Sequence, residues 1–127
     1  MPSVHVIATG GTIAGTDGDR GVSPSRSGRD LIEEVPQLSD RFDVTVTQVT
    51  QRPSTALSTS DLLAIAETVR RVAESADGVV VLHGTDTMAE TAYYLDLVVG
   101  SATSVVLTGS QRTATDPSPD GPANLVG

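Results

Sequence analysis

The sequence predicts an α/β fold built on a parallel sheet with flanking helices. Three observations carry that prediction. The run Val4 to Ala8 and the run Val79 to Leu82 are short and mainly apolar, as expected of strands covered on both faces. Between them, Leu62, Ile65, Ala66, Val69, Val72 and Ala73 recur at three- and four-residue spacing and make one apolar helix face. Each apolar run then stops at glycine and offers a hydroxyl: Thr9-Gly10-Gly11-Thr12 after the first, His83-Gly84-Thr85 after the second. Strands that alternate with helices imply parallel pairing through right-handed crossovers. Ligand sites in such sheets form at the carboxyl ends of the strands.

The remaining elements follow in chain order. Thr16 to Arg29 is rich in Gly, Ser, Asp and Arg and predicts a loop or mobile flap. Arg29 to Val35 predicts a short helix ended by Pro36. Phe42 to Val49 is strand-like, with Val44 and Val46 alternating with threonines. The long amphipathic helix takes its cap from Ser60, or from Ser58 with Asp61. Thr87 to Val98 predicts a helix with Met88, Thr91, Ala92 and Leu95 on one side. Ser104 to Leu107 predicts a fourth strand, and Arg112 to Pro122 a second loop. Asp120 and Pro122 predict the cap and first turn of a further helix. The chain stops one turn later, which predicts that it is part of a longer protein.

Composition narrows the function. Eight arginines, no lysine and sixteen acidic residues leave a net charge of −8. That balance argues against nucleic acid and anionic membranes as partners. No cysteine is present, so disulfides and thiolate metal sites are excluded. His5 and His83 form no recognisable metal motif, and no metal is expected. No apolar stretch reaches the length of a membrane span. The N-terminus carries no basic segment followed by an apolar one, so no signal peptide is read and the cytoplasm is the expected location. Of the two tyrosines, one of Tyr93 and Tyr94 is expected to pack and the other to face solvent.

The chemistry-bearing residues sit at the strand ends. At the first junction the glycines allow a sharp turn that leaves the Thr12 hydroxyl free as a nucleophile. Alternatively, Thr12 is a local cap in a glycine-rich turn. A dinucleotide loop fits less well, because the spacing is not G-x-G-x-x-G and no periodic helix follows. At the second junction Thr87-Met88-Ala89-Glu90 fits a capping box and makes Thr87 the expected N-cap. Thr85 and Asp86 then lie just outside the helix, where N–H donors and partial positive charge suit a carboxylate or an oxyanion. Asp86 equally serves as a simple complement to the helix dipole. Ser54 and Thr55 follow the strand near Val49, and Gly109-Ser110-Gln111 follows the fourth strand. His83 reads as structural. Two junctions that converge beside the Asp86 carboxylate point to hydrolysis by a threonine nucleophile.

Together these segments resemble the bacterial-type L-asparaginase family, which includes glutaminase-asparaginases. A-T-G-G-T-I-A-G and H-G-T-D-T-M-A-E-T-A-Y-Y-L-D-L match its two signature segments, and V-L-T-G-S-Q-R with D-G-P-A-N-L resembles a further one. The resemblance spans essentially the whole chain. It implies a Rossmann- or flavodoxin-like domain, with residues 1–127 forming an incomplete N-terminal asparaginase domain and a second domain absent. It implies that Thr12 attacks the side-chain amide of L-asparagine, or of L-glutamine, and that an acyl-enzyme then releases L-aspartate after ammonia leaves. Thr85 and Asp86 match members of the family's Thr-Asp-Lys group, and Asp86 also matches the residue that holds the substrate α-ammonium.

By the same resemblance Ser54 binds the α-carboxylate, and Thr55 stands where many members have glutamine. Gly11, Gly84 and Ser110 match positions lining the pocket. No cofactor is implied. A homo-oligomer is, with an acidic residue from a neighbouring subunit completing each site. The chain departs from the pattern in having no tyrosine around Gly21-Val22-Ser23 and no lysine. Two other readings follow from those departures and from the shared domain. One is an inert fragment or amino-acid-binding domain; the other is the amidase subunit of a tRNA-dependent amidotransferase.

Overall fold

The computed structural model describes residues 1–18 and 21–127. In chain order they form β1 (Ser3–Gly10), β2 (Gly15–Gly18), β3 (Gly21–Pro24), α1 (Gly28–Glu33), α2 (Pro36–Arg41), β4 (Asp43–Arg52), α3 (Thr59–Val72), β5 (Gly78–Leu82), α4 (Met88–Val98), β6 (Ser104–Thr108) and α5 (Gly121–Val126). Single 3₁₀ turns stand at Thr12–Ala14 and Ser54–Ala56. No helix among the described residues is long and apolar enough to cross a membrane.

The expected parallel sheet is present, in the order β4-β1-β5-β6, with every pairing parallel. Side chains alternate between its two faces. Ile7, Val79 and Val81 join Ile65, Val69 and Leu95 of α3 and α4 on one face. Val6, Ala8 and Leu82 join Leu31 and Ile32 of α1 on the other. The crossover leaving β1 therefore carries α1 and α2 on one face, while the crossover leaving β5 carries α4 on the opposite face. The chain order thus reverses between β1 and β5. That is the switch point where open α/β sheets bind ligands.

Local chemistry explains most boundaries. Ser58 caps α3, and its capping box with Asp61 is complete in both directions. Tyr93 is exposed, and Tyr94 packs against the α3–α4 core. Pro36 does more than end α1: it occupies the first turn of α2, where its missing N–H needs no partner.

The expected loop from Thr16 to Arg29 is instead largely ordered. Its two strands β2 and β3 pair antiparallel from Gly15↔Pro24 to Gly18↔Gly21, and Ser27 caps α1. Asp19 and Arg20, within that predicted loop, lie outside the described residues. Tertiary bonds account for the order. The Thr113 and Thr115 hydroxyls donate to Asp17 Oδ2 at 3.1 and 3.0 Å, and Ala114 N–H donates to Gly15 O. Asp120 is the residue before α5 but makes no side-chain cap bond there. Its carboxylate accepts instead from the N–H groups of Gln111 and Arg112, each at 2.9 Å.

Candidate active site

The carboxyl ends of all four strands meet around three glycines. β1 leaves the sheet through Gly10 at φ 105° and Gly11 at φ 83°, ψ −175°. The Gly11 conformation is one that only glycine adopts readily. Gly11 N–H donates to Arg52 O at 3.1 Å, which ties the turn to the end of β4. A Cβ on Gly11 would stand 2.6 Å from both N and Cα of Gly84. The two junctions predicted to converge therefore touch backbone to backbone. Thr12 opens the following 3₁₀ turn, whose Ile13 and Ala14 are buried while Thr12 stays partly exposed. The apolar neighbours anchor the turn and leave the hydroxyl-bearing residue partly exposed.

At the second junction Gly84 is buried, Thr85 is partly exposed and Asp86 is exposed. A Cβ on Gly84 would meet the Ser54 side chain at 2.8 Å, so Ser54 belongs to the same cluster. Ser54 is buried, whereas Thr55 lies on the exposed side of the same turn. β6 contributes Gly109, where an added Cβ would collide with His83 O and lie 3.4 Å from the Thr85 methyl. Ser110 follows, buried, with its hydroxyl donating to Arg112 O at 2.9 Å. Gly11, Ser54, Gly84, Thr85 and Ser110 are thus gathered at the ends of adjacent strands, with Thr12 and Asp86 beside them in the chain.

The predicted capping box at α4 does not form. Thr87 is the N-cap residue but makes no side-chain cap bond. Its hydroxyl donates to Ser54 O at 3.2 Å, and its N–H donates to Ser54 Oγ at 3.3 Å. The nearby Ser54 turn offers Thr87 both a carbonyl and a hydroxyl, and these outcompete the local pattern. The start of α4 is thereby tied to the 3₁₀ turn after β4.

His83, expected to be merely structural, is a polar hub of this cluster. It is 0% exposed. Its Nδ1 lies 2.7 Å from Gly84 O, and its Nε2 lies 2.8 Å from the hydroxyl of buried Thr91. Burial pushes the ring below its ordinary value of 6.5, outweighing the opposing Gly84 hydrogen bond. The signal in the sequence was a histidine at a strand end with Thr91 on the predicted inner face of the next helix. Thr9 closes the floor from β1, donating to Leu82 O at 2.7 Å.

Such an arrangement offers hydroxyls, a carboxylate and a helix N-terminus at one end of the sheet, at a topological switch point. That suits acyl transfer to a small polar substrate. Comparison with known proteins points the same way. Residues 3–127 match the family profile described as Asparaginase, N-terminal. L-asparaginase 2 of Bacillus subtilis (strain 168) is 40% identical over 132 residues, covering 98% of this chain and 35% of that protein. The glutaminase-asparaginase of Acinetobacter glutaminasificans is 42% identical over 130 residues, covering 97% of this chain and 39% of that protein. The chain thus spans little more than a third of the length of these curated relatives. A crystal structure of the probable cytoplasmic L-asparaginase of Campylobacter jejuni superposes with a TM-score of 0.88 at 38% identity, covering 98% of this chain and 38% of that one. Motifs, strand order and matches agree that this chain belongs to the asparaginase family.

Proposed function

We propose that residues 1–127 carry the nucleophile half of an amidohydrolase that converts L-asparagine to L-aspartate and ammonia. L-glutamine is the second candidate substrate, in keeping with the glutaminase-asparaginase relative. The observation that carries the reading is the backbone contact between Gly11 and Gly84, which joins the two threonine segments at the switch point. Thr12 Oγ adds to the side-chain amide carbon, and its proton passes to the departing nitrogen. The C–N bond breaks, ammonia leaves and an ester to Thr12 remains. Water then adds to the ester, the C–O bond breaks, and aspartate and the free hydroxyl result. Thr85 and Asp86 serve the proton transfers, with Asp86 also facing the substrate α-ammonium. Ser54 receives the α-carboxylate beside the N-terminus of α4, where N–H donors and the helix dipole favour an anion. Thr55, Gly11, Gly84 and Ser110 line the pocket.

These residues belong, in our reading, to the N-terminal part of a longer enzyme, because both curated relatives named above are more than twice this length. The remainder supplies the family's lysine, which residues 1–127 lack. We place the enzyme in the cytoplasm, in keeping with the name of the probable cytoplasmic L-asparaginase of Campylobacter jejuni, and read it as a homo-oligomer whose neighbouring subunit adds an acidic group. The named relatives favour hydrolysis over the inert-domain and amidotransferase-subunit readings.

Ammonia release from L-asparagine tests the assignment. Thr12→Ala is expected to lower kcat by on the order of 10⁴-fold, and Thr12→Ser to restore part of it. A fully active Thr12→Ala protein would remove Thr12 as the nucleophile. Turnover by residues 1–127 alone would show that the lysine is dispensable.

A further inference from the structure

The buried His83 ring uses both nitrogens, and its two partners come from different segments, the junction after β5 and the α4 helix. A carbonyl oxygen only accepts, so the 2.7 Å contact with Gly84 O requires a hydrogen on Nδ1. Nε2 then keeps its lone pair and accepts from the Thr91 hydroxyl at 2.8 Å. A helical threonine can turn its hydroxyl back to the carbonyl one turn earlier. Thr68 of α3 does so, donating to Ala64 O, while Thr91 of α4 points to the ring instead. Thr91 holds the ring, and the ring holds the Gly84 carbonyl.

That carbonyl sets the geometry of the next residues. No cis peptide occurs among the described residues, so the Gly84–Thr85 peptide is trans and planar. With Gly84 C=O drawn onto His83 Nδ1, the Thr85 N–H must point the opposite way, away from the ring. Gly84 has no side chain to resist rotation of this peptide, and Ser54 and Gly11 flank it closely. The ring therefore supplies the restraint that the glycine lacks.

We propose that His83 is a positioning residue: its Nδ1–H holds the Gly84 carbonyl and so sets the direction of the Thr85 N–H and the placement of Thr85 and Asp86 at the carboxyl ends of β1 and β5. The catalytic consequence rests on the asparaginase reading; the geometric one does not.

Two amide variants separate the ring's two bonds. His83→Asn puts an amide nitrogen near the Nδ1 position and keeps the donor to Gly84 O. His83→Gln reaches the Nε2 position and keeps the partner of Thr91. The backbone amide NMR signals of Thr85 and Asp86 are expected to stay near wild type in His83→Asn and to move in His83→Gln. In wild type the imidazole ¹⁵N signals are expected to show hydrogen on Nδ1. Asparagine turnover is expected to fall about tenfold or more in kcat for His83→Gln, with KM within about threefold, and to change less than about threefold for His83→Asn. Thr91→Val, which removes the same ring's other bond but leaves Nδ1–H in place, is expected to lower the unfolding midpoint and to lower kcat less than His83→Gln does. Hydrogen on Nε2, unmoved Thr85 and Asp86 signals in His83→Gln, or equal kcat losses in all three variants would overturn the proposal. An inactive wild-type full-length enzyme would instead end the asparaginase reading, while the amide signals still decide the role of His83.

Discussion

The two strand-end junctions solve one problem by different means. The segment after β1 is shaped by its backbone: Gly10 and Gly11 both have positive φ, and Gly11 packs where no Cβ fits. The segment after β5 is shaped by buried side chains: His83 binds Gly84 O, Thr91 binds His83, and Thr87 binds Ser54. The first junction is therefore intolerant of added atoms. The second is intolerant of lost hydrogen-bond partners. In the proposed reading the Thr12 loop needs a tight, fixed turn, and glycines supply it directly. A segment proposed to present Thr85 and Asp86 together is held from behind by the His83 contact to Gly84 O.

The sharpest way to break the contrast is Gly11→Ala. The new Cβ would enter a conformation open almost only to glycine and stand 2.6 Å from Gly84. Strain and overpacking together are expected to remove about 3 kcal/mol or more. Urea denaturation reads this directly. A midpoint equal to wild type would mean that the two junctions are not in backbone contact.

Ser54→Ala attacks the second junction by subtraction. Thr87 N–H loses its acceptor at 3.3 Å in a site where Ser54 itself is buried. An unsatisfied donor of this kind is expected to reduce stability by about 1–2 kcal/mol. If Ser54 also receives the substrate carboxylate, KM should rise at least about tenfold with a smaller change in kcat. A stability loss without a KM change would keep the packing account and remove Ser54 from substrate binding.

Acidification gives a smaller and reversible version of the same test. Folded His83 binds its proton only below the ordinary value of 6.5, whereas the unfolded chain binds it near that value. Below 6.5 the unfolded state therefore holds more protons, so stability is complete above that pH and falls as pH drops toward the folded value. His5 adds the same sign, held down by partial burial and by Arg71. The cap and turn carboxylates Asp30, Asp61, Asp77 and Asp120 lie below 3.8, chiefly through bonds from backbone N–H groups, so their losses come at lower pH. Unfolding measured from pH 7 to 5 in His5→Gln isolates the His83 contribution. Its absence there would mean that His83 is not buried behind Gly84.

The sequence made the regular parts legible. β1, β5 and β6 announce themselves as apolar runs, and α3 announces itself by its spacing, because burial against a sheet leaves a pattern in adjacent residues. What it hid depends on partners distant in the chain. The β2–β3 hairpin looks like a loop, since Asp17 is secured by Thr113 and Thr115 nearly a hundred residues on. α2 was concealed because Pro36 reads equally as a stop and as a start. Convergence of the two glycine-bearing junctions was expected, but the means of convergence were not. The Gly11–Gly84 contact and the His83 hub arise only once the strand order is known.

The α4 start shows most plainly how a local pattern loses to tertiary structure, and it carries the smallest expected effect. Ser58-Thr59-Ser60-Asp61 and Thr87-Met88-Ala89-Glu90 both resemble capping boxes in sequence, but only the first is made. Ser58→Ala should therefore reduce stability by about 1 kcal/mol, as loss of a working cap does. Glu90→Gln should change it by less than about 0.5 kcal/mol, because only a dipole interaction is lost. Thermal unfolding of the two variants side by side checks both. Equal losses would mean that Thr87 caps α4 through Glu90 after all. In that case Thr87 would be released from Ser54, and the link between the β4 end and the second junction would go with it.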